Sequence, residues 1–281
     1  MKFWGRLVRD KCVAFGFIII LIIIFTAIFA PHLAPHDPYE QNLLEGLSTP
    51  SAQHPLGQDK LGRDVLSRII YGSRISVMVG FFTVTISLLI GTLIGSVAGY
   101  FGGFVDEVFM RIVDILLAFP GILLAIALMT VLGPSLNNVI LALCIVGWVG
   151  YARLARGQIL SLREREYIIA ARAAGLGTSR IILHHIIPNI ISPLIVQATF
   201  GIAGAIIAEA GLSFLGIGTQ PPMPSWGAML NDGRQFLLTA PHLTTYPGIA
   251  IMLTVLGLNF LGDGIRDLLD PKGEYGRSII S

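Results

Sequence analysis

The sequence predicts an all-α integral membrane protein with six transmembrane helices, N-in/C-in, and a cytoplasmic helix-turn-helix between spans 4 and 5. Three observations carry that expectation. Of 281 residues, 54% are hydrophobic and 13% charged, with mean hydropathy +0.76, whereas soluble domains carry about 25% charged residues. Six apolar runs approach the roughly 20 residues that cross a bilayer. With the N-terminus placed inside, 14 of the 19 Lys and Arg fall on the cytoplasmic side and 5 outside, the bias that orients membrane proteins.

Residues 1–11 form a cytoplasmic N-terminus bearing Lys2, Arg6, Arg9 and Lys11. Cys12–Ala30 is the first span, an Ile- and Phe-rich run without a charge. It is too long for a typical signal-peptide core and no small-x-small site follows it, so it reads as a retained helix. Residues 31–76 make an external loop. Residues 77–262 hold five further spans: Val77–Tyr100, Ile112–Leu132, Val139–Leu160, Ile186–Ala208 and Tyr246–Gly262. The loop at about 161–186 and the tail 263–281 face the cytoplasm, and Arg153 to Tyr167 reads as an extension of the fourth helix into water. Gly91, Gly95 and Gly99 give the second span two overlapping GxxxG steps, which let helix backbones approach closely in lipid. The approach is expected within the subunit or against a second one. Pro120 removes a backbone donor and predicts a kink in the third span. Asp114 lies one turn from Arg111 and is expected to pair with it. Cys12 and Cys144 read as packing residues rather than a disulfide.

Outside the membrane, His32, His36 and His54 are irregularly spaced and lack an accompanying Cys. They read as a solvated loop and not as a metal site. Arg63, Asp64 and Arg68 allow ion pairs along a helix at i, i+4 spacing. In Glu209–Leu230, Pro221, Pro222 and Pro224 exclude a regular helix, and Trp226 suits a membrane–water interface. Irregular backbone at membrane depth must be buried in protein or line a wet cavity. This segment is therefore expected to cover the outer mouth of a pathway, with Glu209, Phe214, Gln220 and Trp226 as candidate gate residues. Glu209 is either functional by virtue of its depth or one half of a local ion pair.

The segment YIIAARAAGLGTSRIILHHIIPNIISP, Tyr167 to Pro193, is short, basic and rich in small residues. Ala170, Ala171, Ala173 and Ala174 favour helix. Gly175 and Gly177 supply a turn, and Thr178 or Ser179 is placed to cap a second helix. On the residues alone this is either an element that seats in a partner's groove or an interfacial amphipathic helix. Ala170, Ala171, Gly175 and Pro188 resemble the "EAA" loop of the membrane subunits of ABC importers, with Ile169 standing where that pattern has Glu. Two further segments, HPLGQDKLGRDVLSRIIYGSRIS from His54 and EAGLSFLGIGTQPPMPSWGAML from Glu209, are similar to the second, "C"-type permease of dipeptide, oligopeptide and nickel importers. The tail LNFLGDGIRDLLDP, Leu258 to Pro271, fits the same pattern.

That resemblance implies a multi-pass subunit of the bacterial inner membrane forming half of a translocation pathway for di- or oligopeptides. Its partners would be a homologous second permease, two ATP-binding subunits carrying ATP and Mg, an external solute-binding protein and membrane lipid. The coupling contact would fall on Glu166, Tyr167, Ala170, Ala171, Arg172, Gly175, Leu176 and Pro188. No nucleic-acid partner and no cofactor bound by this chain is expected. The sequence holds no G-x-x-x-x-G-K-S/T phosphate loop, no HExxH and no G-x-S-x-G, so neither an ATPase site nor catalysis is expected. Two alternatives stay open: the same machinery importing nickel or another small solute, and an ATP-independent channel or secondary transporter. The latter usually places ionisable groups at mid-membrane, and these span centres lack them.

Overall fold

A computed structural model describes residues 10–269. The cationic residues Lys2, Arg6, Arg9, Lys272 and Arg277, and the end of the tail motif at Pro271, lie outside the described residues. Within that range the chain is helical, with no strand among the described residues. Five helices are long and apolar enough to cross a membrane, or six spans if one bent pair counts as a span.

Helix α1, Lys11–Leu33, starts at Asp10, whose carboxylate accepts the Cys12 amide at 2.9 Å. It lies along the last helix, α10, His242–Leu269. A Cβ on Gly16 would stand 2.7 Å from the Gly257 carbonyl, so two facing glycines set that approach. Helix α2 runs from Val65 to Phe101 and begins twelve residues before the predicted Val77. Asp64 opens it, accepting from the Ser67 amide and hydroxyl, each at 2.7 Å. At 1.5 Å per residue, its 37 residues reach about 55 Å, well beyond a roughly 30 Å hydrocarbon core. The first turns therefore belong to the polar end.

The predicted third span is two helices, α3 Gly103–Leu117 and α4 Gly121–Leu132, set at 88°. Pro120 sits at the N-cap of α4, so it breaks the run instead of kinking it. Asp114 is held by Arg153 at 3.0 Å, which corrects the expected pair with Arg111. Helix α5, Leu136–Leu162, is capped by Ser135 and ends before Arg163. Residues 163–165 turn, so the fourth helix does not continue to Tyr167. Two short helices follow, α6 Glu166–Ala173 and α7 Thr178–Ile181. A π-helical turn at Ile182–Ile186 then leads into α8, Ile187–Phe214. Helix α9, Trp226–Gly233, precedes α10.

Helices α2 and α5 form the spine. Added Cβ atoms on Gly91 and Gly95 would stand 2.4 Å from the Trp148 carbonyl and 2.3 Å from the Ala152 carbonyl. The GxxxG face thus packs within the subunit. At the arginine-rich end of that spine, Arg163 Nη1 donates to the Gly99 carbonyl at 3.1 Å, and Arg156 Nη2 meets Asp106 Oδ2 at 2.6 Å.

At the opposite end the segment before α2 folds back on itself. Arg63 Nε donates to Asp59 Oδ2 at 2.6 Å, and Arg68 lies 3.5 Å from the same carboxylate. Lys60 reaches Asp232 near the end of α9 at 2.6 Å. The ion pairs expected along a helix are therefore made through a turn, with Asp59 as their hub. His54 Nδ1 lies 2.9 Å from Asp64 Oδ1, and the His36 ring stacks 4.5 Å from that of His54. The two histidines are half-buried neighbours of a buried carboxylate, not scattered solvated side chains.

Candidate functional site: the α6–α7 elbow, the outer hairpin and a central cavity

Helix α6 ends in a complete Schellman motif, and that explains the spacing read in the sequence. Gly175 adopts φ +79°, a left-handed conformation that glycine enters without steric cost. Its amide donates to the Arg172 carbonyl at 3.0 Å, and the Leu176 amide reaches back to the Ala171 carbonyl at 3.2 Å, the two bonds that define the motif. Ala171 and Leu176, the residues such a motif brings together, both pack onto one apolar cluster. That cluster joins Ile168, Ile181, Ile186 and Ile190 to Ala155 and Ile159 of α5. The elbow is thereby fixed to α5 and α8 by four isoleucines underneath.

The remaining predicted residues divide by face. Glu166, Tyr167, Ala170, Arg172 and Gly175 are exposed, as is Ile169, while Ala171 and Leu176 are half-buried supports. The outward surface is small and flat around Ala170, with Tyr167 and Ile169 standing beside it. Arg172 places its guanidinium 5.5 Å from the centre of the Tyr100 ring, so a cation–π contact ties the elbow to the end of α2. Pro188 lies apart, at the start of α8, where a missing amide proton costs nothing. Gly177 precedes α7, and no side chain caps that helix, so neither Thr178 nor Ser179 plays the expected capping role.

The outer candidates form a brace. Glu209 is 1% exposed. Its Oε1 accepts from the Ser213 hydroxyl at 2.7 Å and the Thr219 hydroxyl at 3.0 Å. Ser213 Oγ in turn accepts the Thr219 amide at 2.9 Å. The partners are hydroxyls, so of the two readings of Glu209 the local ion pair is not made among the described residues. A second Schellman motif ends α8: Gly216 has φ +83°, Gly216 N donates to Ser213 O and Ile217 N to Leu212 O. Gln220 bridges the Gly216 and Gly218 carbonyls at 3.1 Å each. Trp226 is 1% exposed, lies on Gly72 and donates from Nε1 to the Ile69 carbonyl at 3.0 Å. It is thus buried against α2 and does not float at an interface. Phe214 carries Arg234 over its ring at 5.8 Å.

None of these four lines the central cavity. That space, of about 250 Å³, opens between α2, α4, α5 and α8; Thr83, Ser87, Tyr151 and Gln197 are the polar residues around it, the hydroxyl oxygens of the first three being buried. Neutral hydroxyls in an apolar run carry no charge signal, so these residues are not among the sequence candidates. The available signal was Thr83 and Ser87, one turn apart in an apolar run.

Comparison with known proteins agrees with this architecture. Residues 91–274 match the family described as "Binding-protein-dependent transport system inner membrane component". Residues 1–50 match the "N-terminal TM domain of oligopeptide transport permease C". The chain is 51% identical to the dipeptide transport system permease protein DppC of Alkalihalophilus pseudofirmus, covering 95% of this chain and 88% of that one. It is 45% identical to the glutathione transport system permease protein GsiD of Pectobacterium atrosepticum, over 96% and 90%. It is 44% identical to DppC of Haemophilus influenzae, over 96% and 94%. Among solved structures, an inward-facing MetNI methionine ABC transporter shares the fold, with TM-score 0.59 and 18% identity over 73% of this chain and 97% of that chain. The chain belongs to the inner-membrane permease family of binding-protein-dependent ABC importers, as a multi-pass transport subunit of the bacterial inner membrane that works with ATPase and membrane partners.

Proposed function

We propose that this chain forms half of the pathway of an ATP-driven importer of di- and oligopeptides. The observation that carries the cargo class is the 51% identity, across nearly the whole chain, to a permease named for dipeptide transport. Relatives named for glutathione transport fit the same class, since glutathione is itself a small peptide. The other half of the pathway is a homologous permease. Two ATPase subunits bind ATP and Mg, and an external binding protein delivers cargo. The chain carries no ATPase site of its own.

The α6–α7 elbow is the coupling element, with the N-terminus, the elbow and the C-terminal tail all cytoplasmic. Its support is physical. A contact that transmits force needs a rigid element, and the elbow is rigid through its Schellman bonds and its isoleucine base. It also needs a flat face to seat in a groove, which the exposed alanines supply. ATP binding draws the ATPases together, the seated elbows follow, and the two permeases tip from inward-open to outward-open. This is a two-state equilibrium biased by a ligand at a distance. Reconstitution in liposomes with both permeases, the ATPases and the binding protein tests the reading. ATP-dependent uptake of a labelled dipeptide supports it, whereas dipeptide flux that persists without ATP would leave the channel or secondary-transporter alternative standing.

A further inference from the structure

Helix α3 leaves an apolar arc exposed, with Phe104 at 79%, Val108 at 41%, Ile112 at 44% and Ile115 at 56%. Its opposite side is fixed by α5. Met110, Val113 and Leu116 pack with Trp148, Val149 and Ala152. Asp106 and Asp114 pair with Arg156 and Arg153, which lie further along α5 toward the elbow. Polarity around α3 therefore follows depth along α5, with apolar contacts toward the outer end and ion pairs toward the elbow.

The same ion pairs set the direction of α3. Asp106 and Asp114 stand about 12 Å apart along their helix at 1.5 Å per residue, yet Arg153 and Arg156 share one turn of α5. A helix parallel to α5 would carry the two carboxylates to different levels; a helix crossing it steeply brings both to one. The 88° bend into α4, which packs on α5, agrees. Because α5 is an apolar span, α3 lies close to the membrane plane.

At about 100° per residue, Val105, Ile112 and Val108 continue round α3 from Leu116, on the side toward the outer end. Phe104 and Ile115 follow. Glu107 and Arg111, both exposed, continue from Asp114 on the elbow side. One arc thus meets α5, one looks into the bilayer and one meets water, the pattern of a helix lying in a membrane interface. Depth agrees as well. The 12 residues of α4 cover about 18 Å of a roughly 30 Å hydrocarbon core, so α4 starts, and α3 ends, at the acyl boundary and not above it.

We propose that α3 is an interfacial helix seated in the cytoplasmic leaflet, with Phe104, Val108, Ile112 and Ile115 on lipid acyl chains. The occupant is lipid and not a second permease, because the arc turns toward the bilayer interior from a helix that lies across it. Glu107 and Arg111 give the wet side no net charge, so zwitterionic lipid suffices. The choice of leaflet rests on the cytoplasmic placement of the elbow proposed above; the in-plane orientation does not.

The test uses the full importer in phosphatidylcholine nanodiscs, with Cys12 and Cys144 replaced by Ala. Nitroxide labels are placed singly through Phe104→Cys, Glu107→Cys, Val108→Cys, Arg111→Cys and Ile115→Cys. All five sites are exposed, and co-purification of the ATPase subunits checks that each variant is assembled. Labels at 104, 108 and 115 should be relaxed by oxygen and not by a water-soluble nickel chelate; labels at 107 and 111 should show the reverse. The decisive result is that 104 and 115, about 16 Å apart along α3, report depths within one helical turn of each other. Depths that differ by about 16 Å would make α3 part of a span and overturn the proposal. Oxygen relaxation at 104, 108 and 115 that is present in the permease alone and lost in the assembled importer would overturn it in favour of a protein partner. In liposomes, an impermeant thiol reagent reaching Glu107→Cys only from the outside would instead refute the cytoplasmic placement of the elbow, and the leaflet with it, while equal depths would keep the in-plane orientation.

Discussion

Replacing Gly175 tests whether elbow geometry, rather than elbow composition, transmits the ATPase stroke. At φ +79° an L-residue pays the left-handed penalty, about 1–2 kcal/mol. No atom lies within 4 Å of where a Cβ would stand, so Gly175→Ala adds that backbone term with no clash. An energy of this size changes the ratio of formed to unformed elbow by about 5–30-fold. If only the formed elbow seats, ATPase-subunit affinity falls by up to that factor. Asn enters the left-handed region more readily than Ala, so Gly175→Asn should lie between Gly and Ala. Gly175→Pro cannot reach a positive φ and loses the amide that bonds Arg172; it should uncouple fully. The assay is ATPase stimulation by loaded binding protein, together with titration of ATPase subunits onto the permease pair. The expected order is Gly, Asn, Ala, Pro. Equal stimulation in all four would refute the reasoning, and so would an Ala variant as inert as Pro.

Three more predictions follow from the packing. Glu209→Ala removes the acceptor of two buried hydroxyls and should destabilise the solubilised protein by about 1–3 kcal/mol per orphaned group. Glu209→Gln keeps an acceptor and should lose far less; a thermal melt decides between them. Gly95→Ala drives a methyl into the Ala152 carbonyl, so about 1–3 kcal/mol of overpacking should appear as a lower Tm, while Gly150→Ala, facing open space, should not shift it. Lys60→Gln breaks the pair with Asp232 and leaves the Asp232 contact to buried Arg63 in place; because the Lys60 and Asp232 side chains are about a third exposed the cost should stay below about 1 kcal/mol and shrink with salt. Limited proteolysis of residues 37–64 at low and high ionic strength reads that effect.

Spans carried by one long apolar run were legible at their starts: α1, α5 and α8 begin within three residues of expectation. The break at Pro120 was not. A straight span and a bent pair have the same composition, and the 88° turn is set by where α3 and α4 each find packing against α5. The early start of α2 was hidden because its first three turns carry Arg68 and Arg74 and so lie outside the apolar run that begins at Val77. The neutralisation of Arg68 by Asp59 depends on a turn nine residues upstream. The Asp114 pairing failed for a related reason: the nearest charge in sequence was Arg111, whereas α5 brings Arg153 alongside. At the elbow, Gly175 was readable because a left-handed C-terminus needs glycine. The division of Ala170 outward and Ala171 inward came only with the isoleucine cluster beneath. The central cavity was invisible to a search for charge, since its polar groups are neutral and lie on three separate helices.

The most direct test of the coupling claim is thiol accessibility in membranes. Cys12 and Cys144 would first be replaced by Ala, and single cysteines placed at Tyr167, Ala170 and, at the opposite end, Ser51. All three positions are exposed in the isolated subunit. The account predicts that Tyr167→Cys and Ala170→Cys react from the cytoplasmic side in the permease alone and become protected when ATPase subunits bind. Ser51→Cys should react only from outside and stay unprotected. Labelling of Ala170→Cys that ATPase binding leaves unchanged, or that requires an external reagent, would contradict the account.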